Sequence, residues 1–214
     1  VARYGSVFYN VSGVIRDVHI KGIDIISYDR MGTFAATMNV GSELKNCSVT
    51  SDEAGVYGVE LTYVQPTSVE SVICLGGLAG YLNYTRITNC YITDLKVIAE
   101  NMKSSQGIGG AIGYCSNSVI ISVYAEGDIS VRTSYIGGIV GQYYASGVSV
   151  VCIKDVVAKV DISSYINVMG GIVGMLNIPK DIVDSRNSTS GIASGFAVGN
   201  VYAYNPDSEY VSRT

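Results

Sequence analysis

The chain has few of the residues that most catalytic sites need, with one histidine, His19, and no tryptophan among its 214 residues. Serine hydrolases need a base and an orienting acid beside the nucleophile, and the sequence has no Gly-x-Ser-x-Gly elbow. It has no Gly-x-x-x-x-Gly-Lys-Ser/Thr loop for phosphate either. We therefore expect no serine-nucleophile chemistry, no nucleotide loop and no cofactor.

Charge is also sparse, since charged residues make up 15% of the chain and the formal net charge is −4. Nucleic acid requires clustered Lys and Arg, so it is not an expected partner. No apolar run approaches the roughly 20 residues of a membrane span, so insertion in a membrane is not expected. The longest run, residues 72–82, is interrupted by three glycines and is interpreted as a core strand and a turn.

The cysteines form no Cys-x-x-Cys pair, which argues against a zinc knuckle or a redox pair. The five are Cys47, Cys74, Cys90, Cys115 and Cys152. Cys47 and Cys90 occupy a repeated position that valine holds elsewhere. We interpret cysteine here as a small buried apolar side chain, with a disulfide or a metal site as the alternative.

What the chain does have is one short pattern repeated along its length. The pattern is an aliphatic residue, a free position, a small polar residue, Val or Cys, a free position, and a small or aliphatic residue. Copies lie at 15–20, 44–49, 87–92, 120–125, 153–158 and, in decayed form, 182–187. Glycine-rich segments precede them, such as Gly-Gly-Leu-Ala-Gly at 76–80 and Gly-Gly-Ile-Val-Gly at 137–141 and 170–174. A period of roughly 30 residues is typical of solenoids and arrays.

Val, Ile and Tyr dominate each copy and mostly alternate with polar residues, which predicts strands with one buried face. Such short strands bury that face only when copies stack, at a strand spacing of about 4.8 Å. The sequence therefore predicts an all-β parallel β-solenoid (β-helix) of about six to seven coils, roughly 30 Å long. The glycine pairs are expected at corners, where φ is positive or a neighbouring backbone approaches closely. One predicted core column holds Ile15, Leu44, Ile87, Ile120, Ile153 and Ile182.

The repeats predict one elongated domain over 1–199, with a loop insertion at 50–75 and a cap or linker at 200–214. The insertion is predicted because the spacing between copies widens there, and it is either a binding loop or a tolerated surface loop. The chain begins at Val1, already inside the first repeat, so we expect it to be a piece of a larger protein.

The small polar position of the repeat forms a second column. It holds Asp17, Asn46, Asn89, Ser122, Asp155 and Asp184. The structural interpretation is a polar ladder at a corner, since these side chains bond neighbouring backbone groups. The alternative is that Asp155 and Asp184 on adjacent coils bind calcium or act as acid and base. Other acidic residues are expected to be scattered.

Tyrosine is abundant, with 17 residues against three phenylalanines. Tyr81 and Tyr114 share one repeat position after the glycine segment, and Tyr91 and Tyr124 share an outward position. There are two interpretations of these stacked pairs. Either they bind a glycan or a partner protein, or they only stabilise the sheet. His19 shares the outward position of Tyr91 and is predicted to be a surface residue.

The Gly-Gly-Leu-Ala-Gly segment at 76–80, followed by Ile-Thr-Asn-Cys-Tyr-Ile at 87–92, resembles the bacterial GLUG repeat. The resemblance extends from residue 4 to about residue 199. It implies a right-handed β-solenoid that is exported to the bacterial cell surface or the medium. Such repeats occur in surface proteins and in the non-catalytic amino-terminal regions of secreted zinc metallopeptidases that cleave immunoglobulin A. The peptidase signature His-Glu-x-x-His is missing, so the resemblance implies that any catalytic zinc lies outside this chain.

The leading hypothesis is a non-catalytic module that spaces, presents or docks a neighbouring domain of a large secreted or surface-attached protein. The first alternative is a host-adhesion module that binds glycan or protein through its tyrosines. The second is a polysaccharide-active β-helix that uses Asp155 and Asp184.

Overall fold

The structure is a computed structural model. It describes residues 5–51, 57–65, 73–99, 102, 106–133, 135–146, 152–165, 168–178, 191–203 and 212–213. Within these ranges the regular elements are all β-strands, and no helix is long and apolar enough to cross a membrane. The all-β class predicted from the sequence is confirmed.

The strands form three sheets. The first sheet contains, in order, β1 (Phe8–Val11), β6 (Ala35–Met38), β11 (Ala79–Asn83), β14 (Ile112–Ser116), β17 (Val140–Tyr144) and β20 (Val173–Asn177). The second contains β5 (Met31–Gly32), β10 (Cys74–Gly76), β13 (Gly107–Gly109), β16 (Ile136–Gly137) and β19 (Met169–Gly170). The third contains β2 (Val14–Arg16), β3 (His19–Lys21), β4 (Ile23–Ser27), β7 (Glu43–Lys45), β8 (Ser48–Thr50), β9 (Val59–Tyr63), β12 (Arg86–Ala99), β15 (Val119–Val131), β18 (Cys152–Ser164), β21 (Gly191–Val198), β22 (Val201–Ala203) and β23 (Ser212–Arg213).

Each repeat places its strands in the three sheets in the same order. Thus β10, β11 and β12 lie in the second, first and third sheets, and β13, β14 and β15 lie directly beside them in register. The strand pairs of the described residues are parallel except for β22 with β23, which is antiparallel. Successive repeats therefore stack strand on strand, which is the arrangement that a β-helix requires.

The core consists of columns of equivalent residues. The predicted column from Ile15 to Ile153 is confirmed by the strand register. Its predicted continuation, Ile182, lies outside the described residues, and Ile192 of β21 is the residue that pairs with Ile153. A second column, the Leu82 column, runs through the first sheet and contains Val11, Met38, Leu82, Cys115, Tyr143 and Leu176.

Cys47, Cys74, Cys90 and Cys115 are buried free thiols, and Cys152 is partly buried. Burial raises the pKa of the Cys90 and Cys115 thiols to about 12, so both stay protonated and apolar. In the part of the chain that the structure describes, no group of three or more His, Cys, Asp or Glu residues is placed to hold a metal ion. The interpretation of these cysteines as core residues is confirmed for the four buried ones.

The polar column lies at a corner of the third sheet, as predicted. Asp17, Asn46, Asn89, Ser122 and Asp155 all have φ between 52° and 56°, in the left-handed region. Asn, Asp and Ser tolerate this region better than branched residues do. Two rungs are hydrogen bonded: the Asn46 amide donates to Asp17 Oδ1 at 3.1 Å, and the Asn89 amide donates to Asn46 Oδ1 at 3.3 Å.

We expect Asn89→Ala to lower the free energy of unfolding by about 1–2 kcal/mol. Alanine is strained in the left-handed conformation, and it lacks the side-chain amide that donates the hydrogen bond to Asn46. Asn89→Gly removes the same bond but adopts this φ freely, so its loss is expected to be smaller. Urea unfolding of both variants measures the difference. Equal losses would mean that the hydrogen bond, and not the backbone conformation, selects asparagine here.

The segment 50–75, predicted as a loop insertion, contains strand β9, which pairs with β4 on one side and β12 on the other. Residues 52–56 and 66–72 lie outside the described residues. The segment 200–214, predicted as a cap or linker, contributes β22, which pairs with β18, and β23, which pairs with β22.

Candidate functional site

Tyr81 and Tyr114 stack as the repeat predicts. They are register partners on β11 and β14, with ring centroids 5.0 Å apart and planes inclined by 8°. The Arg30 guanidinium lies 4.4 Å from the Tyr81 ring centroid and donates to Thr37, the register partner of Tyr81 on the preceding strand. Arg30 and Tyr114 therefore cover opposite faces of Tyr81, so a sugar ring cannot stack on it.

Both hydroxyl groups of this pair are kept protonated. Burial is the main cause that raises the pKa of Tyr81, and burial together with the neighbouring Tyr81 raises the pKa of Tyr114 to about 12. Tyr81 therefore offers its ring edge and its hydroxyl donor, which suit hydrogen bonding more than aromatic stacking with a ligand.

Tyr91 and Tyr124 are register partners on β12 and β15, in the third sheet. Tyr91 is 44% exposed. The Tyr124 hydroxyl donates to the Glu126 carboxylate at 2.6 Å, and this bond is the largest cause that raises the pKa of Tyr124 to about 12. The predicted tyrosine pairs thus belong to different sheets and form two separate surfaces.

The outward column that contains Tyr91 is exposed only in part, because Ser48, which lies between His19 and Tyr91, is buried. His19 is exposed, as expected, and its Nδ1 lies 2.7 Å from the Ser48 hydroxyl. At the other end of the column, Phe196 is 61% exposed. The exposed rings of Tyr91 and Phe196 can contact a ligand with an aromatic face. This column is therefore a better candidate for such binding than the Tyr81–Tyr114 pair.

Asp155 is exposed on β18, with Lys154 Nζ 3.9 Å from its Oδ2 atom. The strand that pairs with β18 at this point is β21, which places Ser194 opposite Asp155. Ser194 also has a left-handed φ of 54°, so it continues the polar corner. Asp184, the predicted partner of Asp155, lies outside the described residues.

The structure gathers charged residues in a column that the sequence analysis missed. Register places Asp24, Glu60, Lys96, Asp128 and Asp161 side by side on consecutive strands of the third sheet. The expectation of scattered acidic residues was therefore wrong for this face. The column was hidden because Glu60 lies in the segment predicted as an insertion and because the β12–β15 register shifts between Ile92 and Leu95. Asp128 and Asp161 each follow the repeat valine by the same interval, a signal that would have found this pair.

Asp128 and Asp161 of this column border a groove of about 420 Å³. Its charged and polar lining consists of Tyr57, Asp94, Glu126, Asp128, Lys159 and Asp161. Lys159 Nζ lies 2.5 Å from Glu126 Oε1, and this hydrogen bond is the main cause that lowers the pKa of Glu126. Asp161 Oδ1 accepts hydrogen bonds from the backbone and side-chain nitrogens of Asn200, at 2.7 and 3.0 Å. The groove can accept hydrogen bonds from hydroxyl or ammonium groups.

Asp128 carries an electrostatic penalty. Burial raises its pKa, the carboxylate of Asp161 raises it further, and Lys96 lowers it. Like charges directly opposite on paired strands are destabilising. The folded state therefore holds a proton on Asp128 more tightly than the unfolded chain does, and ionisation of Asp128 opposes folding.

We expect Asp128→Asn to raise the free energy of unfolding by a few tenths, roughly 0.5 kcal/mol, at neutral pH, because solvent screens the exposed pair. The gain should shrink as the pH falls through the pKa of Asp128, since protonation then neutralises the parent protein too. Asp155→Asn is the control, because Asp155 faces Ser194 and not a second carboxylate. Denaturant unfolding at neutral and acidic pH measures both. A gain that persists in acid would rule out the like-charge explanation.

Comparison with known protein families gives one match to the chain. The model of the GLUG motif matches residues 71–98. The chain contains a GLUG-type repeat. The matched GLUG segment includes β10, β11 and all but the last residue of β12, which is one strand from each of the three sheets. The GLUG motif is a non-catalytic repeat, which fits the prediction that this chain is not itself an enzyme.

The search of curated proteins found no match, and the search of solved structures found none either. The GLUG segment is therefore the part of the chain for which a family resemblance is confirmed.

Proposed function

We propose that the chain is a right-handed parallel β-solenoid of about six to seven coils that acts as a non-catalytic spacer or docking module. In this proposal residues 1–199 form the solenoid and 200–214 form its cap or linker. The parent is a large secreted or surface-attached bacterial protein, and the neighbouring domain is a zinc metallopeptidase. The GLUG match at residues 71–98 supports the repeat architecture. The resemblance to GLUG-repeat proteins supports the secreted or surface-attached parent and its peptidase domain.

The observation that carries the spacer role is the continuity of the core columns. The Leu82 column crosses all six strands of the first sheet, so at about 4.8 Å per strand the outer strands are roughly 24 Å apart. Side chains packed in every layer make such a stack resist bending, because each repeat contacts its neighbours over a full set of strands. A stiff element of fixed length holds two domains at a set separation.

The parent protein provides the test. With its catalytic domain present, deletion of this module is expected to leave cleavage of a short peptide unchanged and to reduce cleavage of a large folded substrate, because only the latter needs a second domain held in place. The matched control replaces the module by a flexible Gly/Ser linker of equal residue number. Peptidase or glycosidase activity from this chain alone, or loss of peptide cleavage on deletion, would contradict the proposal.

Exposed Tyr91 and Phe196 favour a second candidate, adhesion to a host glycan or protein through the outward column of the third sheet. A glycan array and a serum-protein binding assay provide the test. We expect Tyr91→Ala combined with Tyr124→Ala to abolish a genuine signal. The control, Tyr81→Ala with Tyr114→Ala, should leave it intact, because that pair lies on another sheet.

A further inference from the structure

A pocket of about 310 Å³ lies at the corner between the first and third sheets. Three of its lining residues come from the connections between these sheets in consecutive repeats: Gly41 after β6, Tyr84 after β11 and Asn117 after β14. Two charged residues, Glu43 at the start of β7 and Arg86 at the start of β12, line it from the third sheet. Small-molecule sites typically enclose about 300–1,000 Å³, so this volume suits a ligand with a single ring.

Tyr84 has a backbone conformation that its side chain disfavours. Its φ is 48°, in the left-handed region, which is uncommon for a bulky residue. Asn83 and Ser116 are register partners, so the residues that follow them, Tyr84 and Asn117, occupy equivalent positions. Asn117 has a φ of 47°, and asparagine tolerates this region well. The corner can therefore be built with asparagine, and the fold does not require tyrosine at position 84.

The strain at Tyr84 is not offset by packing. Tyr84 is 42% exposed. Among the described residues, its ring has no aromatic or cationic neighbour and its hydroxyl has no hydrogen-bond partner. Strained residues of this kind cluster at ligand-binding and active sites, where the side chain serves a purpose other than folding. The Tyr84 side chain therefore points to a ligand in the pocket that it lines.

Arg86 and Glu43 lie directly opposite each other on β12 and β7. Arg86 is exposed and Glu43 is partly buried. Opposite charges on paired strands attract each other. Within the part of the chain that the structure describes, however, neither side chain forms an ion pair or a hydrogen bond. The guanidinium donors and the carboxylate acceptors are therefore both available to a ligand.

The three side chains together define the chemistry of that ligand. A guanidinium binds a carboxylate through two parallel hydrogen bonds, which Arg86 can supply. The Glu43 carboxylate accepts hydrogen bonds from hydroxyl groups, and it repels an anion with two charges, such as a phosphate ester. The Tyr84 ring offers an apolar face with a polar tip. A sugar ring with several hydroxyls and one carboxylate matches all three.

We propose that the corner pocket binds an acidic sugar of the uronic acid class, with Arg86 on its carboxylate, Glu43 on its hydroxyls and Tyr84 against its ring. This site goes beyond the proposed spacer role and does not depend on it. It is also separate from the outward column of the third sheet, because the polar corner at Asn89 lies between Arg86 and Tyr91 on β12.

NMR titration of the ¹⁵N-labelled full chain with D-glucuronate tests the proposal. We expect saturable shifts of the backbone amides of Gly41, Tyr84 and Arg86. D-Glucose lacks the carboxylate, acetate lacks the ring, and D-glucose 6-phosphate carries two charges, so each should bind at least about tenfold more weakly. Glucose or acetate that binds as tightly as glucuronate would overturn the acidic-sugar assignment. Shifts confined to the amides around Tyr91 and Phe196 would place sugar binding on the outward column instead and overturn the pocket.

Two variants separate binding from folding. Arg86→Gln should weaken glucuronate binding by about tenfold or more, whereas Arg132→Gln, which changes an exposed arginine just after β15, is the control and should bind as the parent does. Tyr84→Asn should also weaken binding, yet it should raise the Tm because asparagine relieves the strain. A Tyr84→Asn protein that is more stable but binds glucuronate as the parent does would show that the tyrosine does not serve the pocket. Unchanged binding by Arg86→Gln would rule the proposal out.

Discussion

Gly109→Ala is expected to unfold the protein or to lower its free energy of unfolding by more than about 4 kcal/mol, at the top of the range for single substitutions. A Cβ at Gly109 would lie 2.0 Å from the Ile112 carbonyl oxygen, 2.7 Å from the Ile139 oxygen and 2.8 Å from the Gly141 nitrogen. These are backbone atoms of the neighbouring strands and connections, and they cannot move away without breaking sheet hydrogen bonds.

The control is Gly13→Ala, since no atom lies within 4 Å of a Cβ at that position. Its effect on stability is expected to stay within about 0.5 kcal/mol. Thermal and urea unfolding measure both variants. A Gly109→Ala protein as stable as the parent would show that β13 and β14 do not approach as closely as the structure places them.

Leu82→Ala is expected to lower the free energy of unfolding by about 3 kcal/mol, because it removes a fully buried side chain and leaves a cavity. Met38 and Cys115 lie beside Leu82 in its column and belong to paired strands. Their positions are fixed by backbone hydrogen bonds, so the column cannot collapse to fill the space.

Leu176→Ala is the matched control, with the same change at the exposed end of the same column. Its expected cost is below about 1 kcal/mol, since much of the side chain is already in solvent. Urea unfolding measures the two variants. Equal losses would show that the end of the column is covered as completely as its middle.

The sequence predicted the elements whose signals are local. Alternation of apolar residues identified the strands around Ile87 and Ile120, because side chains of a strand point to opposite faces in turn. Small polar residues identified the corner at Asn46 and Asn89, because the left-handed conformation restricts which side chains can occupy it. The glycine pairs indicated close backbone approach, and Gly109 has it.

The predictions fell short where the answer depends on how distant segments align. Ile182 follows the repeat pattern, yet the residue beside Ile153 is Ile192. The tyrosine pair at 81 and 114 was predicted, but the guanidinium that covers it comes from Arg30, a residue outside the repeat motif. Neither contact has a fixed spacing along the chain.

The sequence by itself therefore determined the all-β class, the polar corner and the core column from Ile15 to Ile153, since each follows from the preferences of single residues and their neighbours. Only the tertiary structure decided the charged column from Asp24 to Asp161 and the groove beside it. Connections of unequal length separate these residues, and the register that unites them is set by packing of the buried faces against one another.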